Sequence, residues 1–555
     1  MVQEGGIATD DGRGSGPNPL ARRIAAVATA VVVAVSLAGI GLEVYEEIEL
    51  GPVPSFEEQA CGLPDKWLER TKYGYYEPRS GQISLLPRTP AYMASGGDGW
   101  SHSGPWPYLQ DVPLVLYGPG IVPAKGDVYK PATSADLSPT IAALIGSRLH
   151  AGDGYILEEA VAQDPRARPR LVLTIVWDGG GWNTLRQWPG DWPNLARLMR
   201  RGVSYVDATV GSSPSVTPAV HSTIGTGYFP STAGVTGVPV RDEDGEVVDA
   251  FLEGESSRFL KMATLGERWD ERRDGRALVG MLGYEPWHLG MIGKGAERPS
   301  GDKDDAVWLD VETNEWKTNP AHYKLPAAVS GTKGLDDYLD ELDAADGAID
   351  RSWRDNEILD APDRIEETPA FIRYHTDALL NLVRKGGYGD DRITDLLFTN
   401  YKQIDRVGHY FNMASEEVHD SLIATDEELG RIVDTLDDVV GRGRYVVVVT
   451  ADHGQQPDAA AVDGFGIDPN EVERDIDEAF GPVTDAVWPT EVFLDDEALE
   501  SEGVTVPEVA RWLGDYRLED NVADVDDADL GSFAAADRIF QLAIPARLLP
   551  EMVCG

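Results

Sequence analysis

Three short runs of apolar residues interrupt a chain that otherwise alternates between polar loops and amphipathic stretches: Val112–Tyr117, Leu171–Trp177 and Tyr445–Thr450. Their sequences are VPLVLY, LVLTIVW and YVVVVT, each bounded by polar or turn-forming residues. Runs of this length, almost without polar positions, predict strands buried on both faces, the habit of parallel sheets. Pro113 lies near the start of its run, where proline is tolerated. Asp395–Tyr401 and the shorter Tyr205–Val210 read as further strands. Helical spacing appears over Asp136–Ile145 with Pro139 early, over Asp191–Arg201 with Leu195, Leu198 and Met199 inward, over Pro369–Arg384, and over Ser415–Val440. Residues 241–370 are rich in Asp, Glu, Gly and Trp with broken periodicity, and read as a cap-like insertion over the sheet's carboxyl edge. The pattern predicts an α/β protein: a doubly wound, mostly parallel sheet with helices on both faces and an inserted cap.

The N-terminal part divides differently. Residues 1–23 are Gly-rich and polar and read as a disordered cytoplasmic tail. Ile24–Leu42 is a 19-residue apolar run broken only by Thr29 and Ser36, with Arg22 and Arg23 before it and four glutamates soon after. At about 1.5 Å per residue it nearly spans a bilayer core. The expectation is an uncleaved single-pass anchor over 24–44 with the rest outside the cell membrane; a cleaved signal peptide is the rival. In 555 residues the net charge is -47, from 95 Asp+Glu against 48 Lys+Arg. That excludes binding to a nucleic-acid backbone, which needs a basic face, and fits a solvated acidic surface. Cys61 and Cys554 allow one bridge and no cysteine-rich zinc module.

Chemistry-bearing residues cluster just past the predicted strand ends. Asp178 follows Leu171–Trp177, Asp405 and His409 follow Asp395–Tyr401 in DRVGH, and Asp452 and His453 follow Tyr445–Thr450 in TADHG. Open α/β sheets place their ligands at that edge. Thr217 stands in a Ser/Pro-rich turn, GSSPSVTPAVH, four residues before His221 and at the start of a small-residue helix. A hydroxyl there faces the positive end of a helix, where anions gather; the plain alternative is a helix cap.

Taken together, TPAVH with the TGYFP that follows, DRVGH and TADHG resemble the alkaline phosphatase superfamily, in its nucleotide pyrophosphatase/phosphodiesterase branch. The resemblance implies that Thr217 is the nucleophile and that two divalent metals, zinc first and manganese second, share the site. Asp178, Thr217, Asp452 and His453 would hold one, and Asp405, His409 and His102 the other, with no thiolate among them. In the family, a Gly/Ser-flanked His, a DxxVPLxxYGPG strand and a DLxPTIxxLxG helix close the catalytic domain. Here His102, Val112–Tyr117 and Asp136–Ile145 open it, so the chain reads as circularly permuted: residues 52–158 carry the former C-terminal part and 171–555 the remainder, with the joint near AQDPRARPR. The permutation would bring the present ends together, and in an oxidising space Cys61 and Cys554 would bond.

The resemblance also implies a small phosphoester or nucleotide-like substrate. Lys294 and Arg298 loosely resemble a cationic phosphate clamp of some alkaline phosphatases. One departure concerns substrate preference: the branch carries an Asn about twenty residues after the nucleophile, where Gly237 or Val238 stands. The alternatives are a phosphomonoesterase and a catalytically inactive module that binds a phosphorylated ligand. A sulfatase is excluded because no Cys/Ser-x-Pro-x-Arg motif surrounds Thr217.

Overall fold

The Leu171–Trp177 strand lies at the middle of a nine-stranded sheet, hydrogen-bonded in parallel to Asp395–Tyr401 on one side and Tyr445–Thr450 on the other. The computed structural model describes residues 51–93, 101–147, 152–161, 167–294, 302–361, 364–522 and 530–554. The expected tail and anchor at 1–23 and 24–44 lie outside those residues, as does Arg298. Among the described residues no helix is long and apolar enough to cross a membrane.

Alternate residues of the central strands pack into two different cores. Leu171, Leu173, Ile175 and Trp177 join Val447 and Val449 on one face. Val172 and Val176 join Val446 and Val448 on the other. Both faces are covered, so every position but Thr174 and Thr450 is apolar, which is why these runs show no alternation. Each fully buried Val, Leu or Ile contributes about 1.5–3 kcal/mol.

Sheet order, written by strand, is 315–317, 305–310, 279–282, 395–401, 171–177, 445–450, 114–117, 203–205 and 126–128. Leu114–Tyr117 runs antiparallel to Tyr445–Thr450, with Leu114 opposite Thr450. It therefore enters the sheet at the carboxyl edge, and the residues before it, His102 among them, lie at that edge.

Several sequence expectations are corrected. Residues 241–370 do not form only a cap: Val279–Leu282, Asp305–Asp310 and Glu315–Lys317 extend the main sheet. Val279–Leu282 reads VGML, too short and Gly-interrupted to signal a strand; Gly280 is required because a Cβ there would lie 2.2 Å from the Tyr388 hydroxyl. The stretch Tyr205–Val210 is two short strands, Val203–Tyr205 and Ala208–Thr209. The helix expected from Asp191 begins at Pro193, and Met199 is only half-buried. The helix expected over Ser415–Val440 is α-helical over Glu416–Leu436, with Ser415 as cap, and ends in a wider turn at Asp437–Gly441.

The chain after the TADHG turn forms a second, antiparallel sheet in the order Thr484–Trp488, Glu491–Leu494, Ile83–Pro87, Phe540–Pro545. It joins residues from both ends of the chain over its own core, including Ile83, Leu85, Val492 and Leu494. Beside it Cys61 and Cys554 are disulfide-bonded across 493 residues, with Cα atoms 5.4 Å apart.

Candidate metal centre

Register explains how the site assembles. Trp177 pairs with Tyr401, and Val176 with Thr450, so three parallel strands end level. The next residues deliver Asp178, Lys402 and the Ala451–Asp452–His453 turn to one place. Two glycines permit the crowding. A Cβ on Gly181 of the DGGG turn would lie 2.5 Å from the Gly454 Cα, and one on Gly408 of DRVGH would lie 2.2 Å from the Gln455 side chain. DRVGH itself is helical, within Gln403–Phe411, which puts Asp405 and His409 one turn apart on one face.

The structure gathers the sequence-predicted residues into two groups. In one, His102 Nε2 lies 3.3 Å from Asp405 Oδ1, and His409 Nε2 lies 3.3 Å from Asp405 Oδ2. In the other, His453 Nε2 lies 3.4 Å from Asp178 Oδ1 and 3.6 Å from Asp452 Oδ2, and Thr217 Oγ1 lies 3.5 Å from Asp178 Oδ1. The groups adjoin: the His102 and His453 rings stack with centroids 3.5 Å apart. Four ligands about 2.0–2.2 Å from a tetrahedral centre stand about 3.3–3.6 Å from one another, so these spacings fit zinc-like coordination. Asp452 Oδ2 and His453 Nε2 are buried and lack hydrogen-bond partners, as ligand atoms would. His102 Nδ1 faces the Ser215 carbonyl at 3.3 Å and His453 Nδ1 the Gly454 carbonyl at 3.0 Å. Those bonds hold a proton on Nδ1, so Nε2 is the atom that would coordinate once it has lost its own proton.

Thr217 is the first residue of the Thr217–Thr226 helix and is 3% exposed. His221, one turn on, is fully buried and does not reach the cavity. Its Nδ1 bonds His288 Nδ1 at 3.0 Å, and burial drives its ring down to about 3, so it is neutral.

Sequence reasoning missed Lys402. Its Nζ lies 3.0 Å from Asp178 Oδ1, 3.1 Å from Thr217 Oγ1 and 2.7 Å from Asp405 Oδ2. Burial works against its charge, but Asp178 and then Asp405 outweigh burial and hold it protonated. In the same way burial opposes the ionisation of Asp178 and Asp405, and Lys402 overcomes it in both. Asp452 is pushed up to about 7, by burial and then by Asp178. Burial disfavours the His453 cation, yet Asp452 and its neighbours lift that ring to about 9. Asn400 was also missed; its Nδ2 donates to Asp178 Oδ2 at 2.8 Å. The only sequence signal for either was adjacency to the DRVGH segment.

A cavity of about 220 Å³ opens over Thr217 and Lys402. Gly237, Val238, Trp287, Trp488 and Glu491 line it, and Lys294 does not. The second sheet thus supplies part of the wall, through the hairpin that joins Trp488 to Glu491.

The profile of the family described as type I phosphodiesterase / nucleotide pyrophosphatase matches residues 172–488. A calcium-transporting ATPase of Myroides odoratus is 24% identical over 346 residues, 53% of this chain and 61% of that protein. Alkaline phosphatase PafA of Elizabethkingia meningoseptica is 23% identical over 448 residues, 70% of this chain and 79% of the relative. Alkaline phosphatase PhoD of Zymomonas mobilis is 24% identical, over 63% of this chain and 64% of its own length. The crystal structure of wild-type PafA superposes with a TM-score of 0.51 at 21% identity, covering 62% of this chain and 76% of that one, a likeness of fold. With more than half of the 555 residues inside the family profile, the chain belongs to the type I phosphodiesterase/nucleotide pyrophosphatase family of the alkaline phosphatase superfamily.

Proposed function

We propose that this protein is a metal-dependent hydrolase of phosphoric esters, of the phosphodiesterase or nucleotide pyrophosphatase type, with Thr217 as nucleophile. One observation carries the reading: two ligand groups with tetrahedral spacing flank a single threonine hydroxyl on the floor of a cavity. Asp178, Thr217, Asp452 and His453 would hold one divalent ion and Asp405, His409 and His102 the other; the all N/O donor set suits zinc first and manganese second. Bound there, the ions supply charge for the transferring phosphoryl group and lower the pKa of the oxygens they contact.

The chain's own contribution is position. The helix that begins at Thr217 turns its positive end toward the reacting oxygen. Once the Thr217 proton has gone to solvent, Oγ1 attacks phosphorus. The Oγ1–P bond forms as the P–O bond to the leaving alcohol breaks, and that alcohol takes up a proton. Water then cleaves the Oγ1–P bond and restores the hydroxyl. Trp287 and Trp488 offer flat apolar walls for the ester group, which suits a nucleotide-like or other aromatic ester.

A phosphomonoesterase is the second reading. Gly237 and Val238 line the cavity where the branch has an amide side chain, and three of the relatives are named alkaline phosphatases. We further read the segment order as a circular permutation; the support is the position of His102 and Leu114–Tyr117 at the same sheet edge as residues 405–453. The Ile24–Leu42 run and the disulfide support anchorage at the cell membrane with the catalytic part outside. The deciding experiment is turnover of bis-p-nitrophenyl phosphate, p-nitrophenyl phosphate and a nucleotide diester by purified protein and Thr217→Ala. Loss of turnover in the variant with metal content kept is the expected result. Near-normal turnover would remove Thr217 from the mechanism.

A further inference from the structure

We propose that Arg406 sets substrate specificity: its guanidinium meets a second anionic group on the leaving side of the substrate, which makes the favoured substrate a phosphoric anhydride, such as a dinucleoside diphosphate, over a simple diester. The proposal rests on the hydrolase reading given above and narrows it. Of the lysines and arginines among the described residues, Lys402 and Arg406 line the cavity. The Lys402 ammonium has three N–H donors, and all three have protein acceptors: Asp178 Oδ1 at 3.0 Å, Thr217 Oγ1 at 3.1 Å and Asp405 Oδ2 at 2.7 Å. Arg406 is not so committed. Both of its protein hydrogen bonds leave from Nη2, to Glu367 Oε1 at 3.4 Å and to the Tyr410 hydroxyl at 3.2 Å. Nε is buried and has no hydrogen-bond partner. Of the five guanidinium N–H groups, the three on Nε and Nη1 thus stand without a partner among the described residues. Glu367 is itself shared with Arg364, so two guanidiniums divide one carboxylate.

The fold holds the group in place beside the reacting centre. The Gln403–Phe411 helix carries two neighbouring pairs one turn apart: Asp405 with His409, which belong to a ligand group, and Arg406 with Tyr410. Tyr284 and Tyr410 flank the guanidinium, with ring centroids 6.0 and 5.3 Å from its central carbon. Thr217 is 3% exposed, whereas the His409 and Arg406 side chains are 15% and 22% exposed. The helix therefore leads from the cavity floor toward its mouth. An in-line displacement sends the leaving oxygen out opposite Thr217 Oγ1. Thr217 stands in the other ligand group, so that direction is the one lined by His409 and Arg406. The two cavity carboxyls outside the ligand groups, Asp249 and Glu491, come from other elements, the Val247–Asp249 strand and the Trp488–Glu491 hairpin, which leaves the helix side to an anion. A guanidinium keeps its charge at any working pH, and its planar fork suits two phosphate oxygens at once.

The test compares wild type with Arg406→Gln and Arg406→Lys, each loaded with zinc. One readout is the ratio of kcat/KM for diadenosine diphosphate to kcat/KM for bis-p-nitrophenyl phosphate, whose leaving group carries no second phosphate. The other is calorimetric: the margin by which α,β-methylene-ADP binds more tightly than AMP. In Arg406→Gln both the ratio and the margin are expected to fall by about 10–10²-fold, the effect of losing a hydrogen bond to a charged group, with partial recovery in Arg406→Lys. An unchanged ratio, with both esters slowed alike, would overturn the proposal and leave Arg406 a brace for Glu367 and Tyr410. So would equal weakening of AMP and its methylene analogue, which would put Arg406 on the transferred group, and so would failure of both variants to fold. If wild type turns over neither ester, the hydrolase reading fails; a binding margin that still depends on Arg406 would then keep the anion-binding role, and one that does not would end it.

Discussion

Replacing Glu491 with glutamine is expected to change how stability depends on pH. Glu491 is 9% exposed and lines the cavity, next to the hairpin turn that also carries Trp488. Burial lifts its carboxyl from 4.5 to about 8, against hydrogen bonds from Ser80 and the Gly81 backbone that favour the ionised form. Below pH 4.5 the group is protonated in both folded and unfolded chains and has no effect. Between 4.5 and about 8 the unfolded chain has lost the proton and the folded chain keeps it, so stability falls as pH rises. Above about 8 both states are ionised and the full penalty persists. At about 1.4 kcal/mol per pH unit the gap corresponds to about 5 kcal/mol, or roughly 3–5 after relaxation around the charge. Glutamine carries no such penalty.

The assay is urea unfolding of both proteins at pH 5, 7 and 9. Every other titrating group, metal ligands included, is common to the pair and cancels in the difference. The variant should gain on wild type by roughly 3–5 kcal/mol between pH 5 and 9, most of it by pH 7. Parallel stability curves, within about 1 kcal/mol, would refute the buried-acid argument. A second readout links the group to function. A neutral carboxyl does not repel an anionic ester, whereas an ionised one does, so the wild-type KM should rise above pH 8 and that of Glu491→Gln should not. Glu491 Oε2 stands 3.5 Å from where a Cβ on Gly237 would lie, so it occupies space beside the position where the branch carries its amide.

Asp405→Asn should lose metal as well as activity, measured as ions per chain, because Asp405 faces both His102 and His409. Chelation should abolish turnover and zinc restore it; activity in protein free of transition metal would refute the two-ion reading. Gly280→Ala should destabilise by about 2–4 kcal/mol in urea, since its Cβ would strike the Tyr388 hydroxyl, which donates to Asp305 at 2.9 Å. Reducing Cys61–Cys554 should cost about 2–5 kcal/mol, seen as a lower urea midpoint; an unchanged midpoint would show that the paired ends hold without it.

How much of this was legible in the sequence follows from what each element depends on. Strands buried on both faces announce themselves, as Leu171–Trp177 and Tyr445–Thr450 do, because nearly every position must be apolar. Val279–Leu282 does not, since it is four residues long and carries a glycine set by its neighbour Tyr388. The second sheet was hidden for another reason. Its strands come from residues 83–87, 484–494 and 540–545, and no local pattern says that such distant segments pair. The resemblance to the superfamily singled out His and Asp just past strand ends, and the structure brings those side chains within 3.3–3.4 Å of one another. The second-sheet wall of the cavity was not legible, because Trp488 and Glu491 reach it only through tertiary pairing.

Lys402 was missed for a reason that bears on the substrate. Motif reading collects ligands and does not balance charge, yet balance is what a buried site must satisfy. Asp178, Asp405 and Asp452 converge with little solvent contact. Lys402 answers two of them, standing 3.0 Å from Asp178 and 2.7 Å from Asp405. Any anionic ester that enters the cavity must pass Glu491, so burial that keeps the Glu491 proton on below about pH 8 spares that ester a repulsive charge in a low-dielectric space.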